Sequence, residues 1–182
     1  MRNLLYLRVI AARIGAPAMS RNIFIALILF LLPAAATAGQ DAQRAPDLRL
    51  KDLQEHTVQL SDYRGKVVLI NFWAMWCAPC RAEIPDLVKL QKDYEDSGLQ
   101  IIGINFPPEE GRDVREFTRN LKVNYPILIG TGEVAASFDA GSGMLPITIV
   151  VDREGIIRDH IEGVFKPEDF EKKVKPLLQP QR

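Results

Sequence analysis

Residues 67–81, Val67-Val68-Leu69-Ile70-Asn71-Phe72-Trp73-Ala74-Met75-Trp76-Cys77-Ala78-Pro79-Cys80-Arg81, decide the fold. The apolar run 67–72 reads as a buried strand. It leads directly into Cys77 and Cys80, the only two cysteines of the chain. If Cys77 caps a helix, Cys80 lies one turn along, and the two sulfurs come within disulfide reach. Unpaired N–H groups and the dipole at the helix start favour a thiolate, so the same placement lowers the Cys77 thiol pKa. A strand feeding Cys-x-x-Cys at a helix N-terminus is machinery for thiol–disulfide exchange.

Other uses of two cysteines fit less well. A structural zinc site needs about four ligands in compact pairs, and here only the distant His56 and His160 could join the cysteines. Covalent haem attachment requires a histidine after the second cysteine, where this chain has Arg81. An inert disulfide closing so short a loop constrains the unfolded chain weakly. No metal and no cofactor are therefore expected.

Outward from the motif, strands and helices alternate. A helix is expected over 77–94, with Ile84, Leu87, Val88 and Leu90 at helical spacing. Pro79 falls in its first turn, where a missing N–H costs little, whereas Pro85 should kink or restart it. Residues 99–105 form the next buried strand, the Phe106-Pro107-Pro108-Glu109-Glu110-Gly111 stretch breaks the pattern, and 114–121 is helical. A strand over 125–129 and a short helix over 134–138 follow. A loop with Gly141 and Gly143 ends at Leu145-Pro146, and 147–151 and 156–161 make an antiparallel hairpin. Residues 167–178 close the domain as a helix presenting Phe170, Val174 and Leu177. Before the motif, 48–51 and 57–60 alternate as a β-hairpin. The pattern predicts an α/β domain over 47–180, a mixed sheet covered by helices on both faces.

Residues 1–38 read as an export leader. Arg21 precedes the apolar run 23–32, and Ala36-Thr37-Ala38 matches a small-residue cleavage site. The run is short against the roughly 20 residues of a membrane span, although retention as an inner-membrane anchor is the alternative. Met19 offers a second start that would by itself begin a conventional signal. Residues 39–46 read as a flexible tether. Arg2, Arg8, Arg13 and Arg21 are the only charges before Asp41, so the remainder carries a formal charge of −4. No basic stripe is left to neutralise phosphates, which argues against a nucleic-acid partner.

The stretch 72–85, Phe-Trp-Ala-Met-Trp-Cys-Ala-Pro-Cys-Arg-Ala-Glu-Ile-Pro, resembles the active site of the thioredoxin superfamily. Pro85 falls where that family kinks its helix, Pro146 at its cis-proline position, and Gly163 before its last helix. The N-terminal hairpin, the inserted helix–strand unit between Phe106 and Ile129, the leader and the Cys-x-Pro-Cys-Arg-x-Glu-x-Pro pattern are similar to the TlpA/ResA/DsbE-like group. That resemblance implies an exported, periplasmic thiol:disulfide oxidoreductase, often reductive, with many members serving cytochrome c maturation. It also implies clients that are protein thiols or disulfides, apocytochrome c among them, recharging by a membrane thiol-reductant transporter, and a monomer.

The resemblance makes Cys77 the exposed attacking thiolate and Cys80 the buried resolving thiol. Trp76 is expected to be an exposed platform for client chains and Trp73 a packing residue. A cis Leu145–Pro146 bond would present the Leu145 backbone to a client strand. Asn71 stands where thioredoxins hold a buried, proton-accepting Asp. Glu83, one turn after Cys80, is the available substitute, although the sequence favours a solvated carboxylate on the helix face. Two relatives on the same scaffold remain as alternatives. A thiol peroxidase usually has a Thr three residues before its reactive cysteine, where Ala74 stands here. A copper-delivery protein needs wider cysteine spacing and a downstream histidine such as His160.

Overall fold

Successive strand residues point to opposite faces, and in β3 (Val67–Trp73) this divides the core in two. Val67, Leu69 and Trp73 pack on one side of the sheet, and Val68, Ile70 and Phe72 on the other. All seven residues are buried, as expected of a central strand covered on both faces. The computed structural model describes residues 43–179 apart from 142. The leader, its cleavage site and the alternative start at Met19 lie outside these residues, as do residues 39–42 of the expected tether.

A small antiparallel hairpin of β1 (Arg49–Lys51) and β2 (Thr57–Gln59) precedes β3. The motif helix α1 runs Ala78–Tyr94. Then follow β4 (Leu99–Asn105), α2 (Gly111–Asn120), β5 (Ile127–Ile129), α3 (Gly132–Ser137), β6 (Ile147–Val151) and β7 (Ile157–Glu162). The closing helix α4 covers residues 167–178. The five-stranded sheet has the order β5-β4-β3-β6-β7, with β3, β4 and β5 parallel and β6 and β7 antiparallel to their neighbours. Helices α1, α2 and α4 contribute Ile84, Leu87, Val114, Phe170 and Val174 to one face. The hairpin and α3 cover the other with Leu48, Leu50 and Ala135. The mixed α/β architecture expected from the sequence is the one observed.

Four local expectations are corrected. Of the kink or restart expected at Pro85, the restart does not occur, since α1 is continuous across it. One backbone bond is lost there, but Ile84 and Leu87 on either side are locked in the core. Strand β5 begins at Ile127 rather than Tyr125, because Pro126 has no N–H and enters the ladder only through its carbonyl, which accepts from Gly103 at 2.9 Å. In α4 the buried stripe is Phe170, Val174 and Leu178, with Leu177 only partly buried. Pro176 cannot donate to the preceding turn, and Phe170–Val174 widens into a π-helical turn that brings residues at a spacing of four onto one face. Finally, the tether is already docked at its end. The Ile157 N–H donates to the Gln43 carbonyl and the Ala45 N–H to Gly155, both at 2.9 Å, and Ala45 is buried.

Gly103 shows how tightly the sheet meets its cover on the α1 side. A Cβ there would lie 2.6 Å from Ile127 Cδ1 and 3.1 Å from Trp73 Nε1, so a larger residue would force Ile127 aside and press on the indole. Trp73 in turn stacks on Phe117 with ring centroids 5.7 Å apart, the packing role expected of it.

Candidate active site

The carboxyl end of β3 delivers the chain to the N-terminus of α1, where parallel strands of α/β sheets commonly place their chemistry. Cys77 is the helix N-cap, in extended backbone conformation, and its sulfur accepts the Cys80 N–H at 3.2 Å. Pro79 sits in the first turn at no hydrogen-bonding cost. Cys77 and Cys80 are joined as a disulfide with Cα atoms 5.3 Å apart.

The two sulfurs are not equivalent. Cys77 is 4% exposed and opens on a surface groove of about 460 Å³, whereas Cys80 is fully buried against the α1 core. The expected exposed Cys77 is therefore nearly covered, because capping and the disulfide fold its sulfur back over the first turn. The groove is walled by Trp76, Phe106, Pro107, Met144 and Leu145, all apolar. Trp76 is 65% exposed, as expected, and Met144 is 87% exposed. The Leu145–Pro146 bond is cis, and among the described residues the Leu145 backbone makes no hydrogen bond. The Pro146 carbonyl accepts the N–H of Gly163 at 2.8 Å, and Gly163 has φ +83°, a left-handed conformation that suits glycine.

Glu83 departs from the solvated carboxylate favoured by the sequence, being 1% exposed. Its Oε1 accepts Asn71 Nδ2 at 2.8 Å and its Oε2 the backbone N–H of Phe165 at 2.7 Å. Burial pushes this carboxyl up to about 7, with the two N–H donors pulling the other way. Burial likewise raises Tyr125, helped by the Glu83 charge. Asn71 also donates to Thr148 Oγ1 at 3.0 Å, while its own Oδ1 has no partner among the described residues. The result is a buried titratable acid one helical turn from the buried cysteine, on the same face of α1.

The structure thus brings together Trp76, Cys77, Cys80, Leu145 and Pro146, with Glu83 beneath them; His56 and His160 take no part. Sequence reasoning missed Phe165, Thr148, Met144, the cis Phe106–Pro107 bond and Glu109. The one available signal was position. Residues 106–109 leave the carboxyl end of β4, next to the carboxyl end of β3, where sites of such sheets form.

The model of the AhpC/TSA family matches residues 42–160, a span that holds both cysteines, Glu83 and Pro146. The chain belongs to this thioredoxin-like family. It is 39% identical to the thioredoxin-like protein YneN of Bacillus subtilis over 137 residues, 74% of this chain and 79% of that one. It is 34% identical to the thiol-disulfide oxidoreductase ResA of Geobacillus kaustophilus, over 78% of this chain and 80% of that one. A solved thiol:disulfide interchange protein of Chlorobium tepidum superposes with a TM-score of 0.69 at 30% identity, covering 76% of this chain and 97% of that one. With relatives that are thiol-disulfide oxidoreductases and its own Cys77–Cys80 disulfide at the start of α1, this protein is a thiol:disulfide oxidoreductase.

Proposed function

We propose that the protein is an exported reductant of protein disulfides, serving cytochrome c maturation or general periplasmic redox homeostasis. The observation that carries this reading is the asymmetry of the pair: Cys77 meets an apolar groove and Cys80 meets only the core. In the dithiol form, the Cys77 thiolate attacks one sulfur of a client disulfide. The client S–S bond breaks, a mixed disulfide forms, and the other client sulfur leaves as a thiolate that takes up a proton. Cys80 gives its proton to the Glu83 carboxylate and attacks the Cys77 sulfur. The second client thiolate leaves, the Cys77–Cys80 bond closes, and two electrons have passed to the client. A carboxyl held near 7 is suited to that transfer at neutral pH.

Trp76 and the Leu145 backbone bind the client, the latter by pairing with an extended segment. The oxidised enzyme is recharged by a membrane thiol-reductant transporter, and the protein works as a monomer. Export rests on the leader pattern of residues 1–38. No helix among the described residues is long and apolar enough to cross a membrane.

Cys80→Ala in the exported protein tests the roles. Attack proceeds but release does not, so mixed disulfides with clients should accumulate, apocytochromes among them, while Cys77→Ala traps far less. Equal trapping by the two variants would overturn the assignment. Trapped clients without haem-attachment motifs would favour the general redox role. Turnover of hydrogen peroxide would favour a thiol peroxidase, and tight copper binding a copper-delivery protein.

A further inference from the structure

The segment after β4 does more than wall the groove. The Phe106 N–H donates to the Trp73 carbonyl at 2.9 Å, and Glu109 Oε2 accepts the Met75 N–H at 2.7 Å. These two bonds straddle Ala74, on the short irregular link that carries Trp76 and Cys77 from β3 to α1. Glu109 is itself gripped by Asn105, whose Nδ2 donates to the same Oε2 at 2.7 Å and whose Oδ1 accepts the Glu109 N–H at 2.9 Å. Asn105 is fully buried at the end of β4, in register with Trp73. A residue of the rigid sheet therefore holds a half-buried carboxylate, and that carboxylate holds the redox loop.

We propose that Glu109 is a positioning residue for exchange with polypeptide clients. Through the Met75 N–H it fixes the link bearing Trp76 and Cys77 against the Phe106–Pro107 wall. The inference rests on the reading of this groove as the client's docking site. Inside the link the remaining backbone bond is a long one, Cys77 N–H to the Ala74 carbonyl at 3.2 Å. Without Glu109, the Met75 N–H and the Asn105 amide lose their shared acceptor, and a partly buried unpaired donor drives a loop towards water. A shift of the Trp76 platform relative to the Cys77 sulfur misplaces a docked client disulfide, and a misplacement of about 1 Å can cost up to about a hundredfold in rate. A large client, which must seat on Trp76 while its disulfide meets Cys77, feels that displacement most.

The geometry also separates position from charge. Both donors converge on Oε2, and the other carboxylate oxygen makes no hydrogen bond among the described residues. A glutamine can place its oxygen at the same point and keep every bond, while removing the negative charge.

The test compares the pre-reduced full chain with its Glu109→Ala, Glu109→Gln and Asn105→Ala variants. Two probes are used: insulin as a protein disulfide and a small aromatic disulfide that needs no groove. Glu109→Ala should react with insulin about tenfold more slowly, the loss of one well-placed hydrogen bond, and with the aromatic disulfide within twofold of the parent. Glu109→Gln should restore the insulin rate to within twofold, and Asn105→Ala should fall between. Should Glu109→Ala fail to fold, Asn105→Ala carries the comparison against Glu109→Gln. Equal loss on both probes, an unchanged insulin rate in Glu109→Ala and Asn105→Ala, or a glutamine variant as slow as the alanine one would each overturn the positioning role. A parent protein that reduces the aromatic disulfide but not insulin would instead sink the client-reductase reading, and this inference with it.

Discussion

Glu83→Gln in the oxidised protein offers the most direct test of the buried acid. The Glu83 carboxyl stands near 7 in the folded protein against 4.5 for the free side chain. Folded protein thus holds this proton more tightly than the unfolded chain does. The resulting stabilisation is fully present below pH 4.5 and is lost as pH rises through about 7. At 1.36 kcal/mol per pH unit, the loss amounts to about 3 kcal/mol. For a domain of this size that is roughly 10 °C in Tm. Glutamine imitates the neutral acid. Its oxygen can accept the Phe165 N–H, and a flip of the Asn71 amide turns the unpartnered Oδ1 towards its nitrogen. Urea or thermal unfolding from pH 4.5 to 8 should therefore show the two proteins close together in acid. Above neutrality the glutamine variant should be the more stable by up to about 3 kcal/mol. Parallel pH curves for the two proteins would refute the buried, elevated acid. In the dithiol form the same variant should lose the step of the pH–rate profile near 7, since no carboxylate is left to take the Cys80 proton.

Three further outcomes follow from the structure and sequence. Arg153 donates to the carbonyls of Gly65, Ser97, Leu177 and Leu178, at 2.7 to 3.3 Å, stitching the end of α4 to the base of the sheet. Arg153→Ala should cost about 3 kcal/mol in urea unfolding while leaving exchange with a small disulfide intact. The uncharged Ala78-Pro79 pair adds nothing to the Cys77 thiolate, so equilibration with glutathione buffers should give a potential nearer the −270 mV of thioredoxin than the roughly −120 mV of DsbA; the latter value would overturn the reductive direction. N-terminal sequencing of exported protein should begin at Gly39, whereas intact residues 23–32 in the membrane fraction would support the anchor.

Cys77, Cys80 and the fold around them were legible in the sequence because their signals are local. A strand-length apolar run, a cap position and a spacing of three each lie within one stretch, and backbone geometry turns that spacing into neighbouring sulfurs. The same holds for β4 and β6, whose apolar runs match the observed strands residue for residue. The Pro146 position was reached by resemblance, and the cis bond there agrees with it. Glu83 was misjudged for the opposite reason. A glutamate on a helix is ordinarily solvated, and what buries this one is Asn71 on β3 and the Phe165 amide 82 residues downstream. Glu109 accepts from Met75 across 34 residues, and Gln43 docks on Ile157, the first residue of β7. Sequence by itself determined which chemistry the chain carries, since that depends on residue type and near-neighbour spacing. Tertiary structure alone decided which acid is buried and raised, which sulfur lines the groove and what bonds to the redox loop, because solvation and hydrogen-bond partners are set by segments that meet only when the sheet closes.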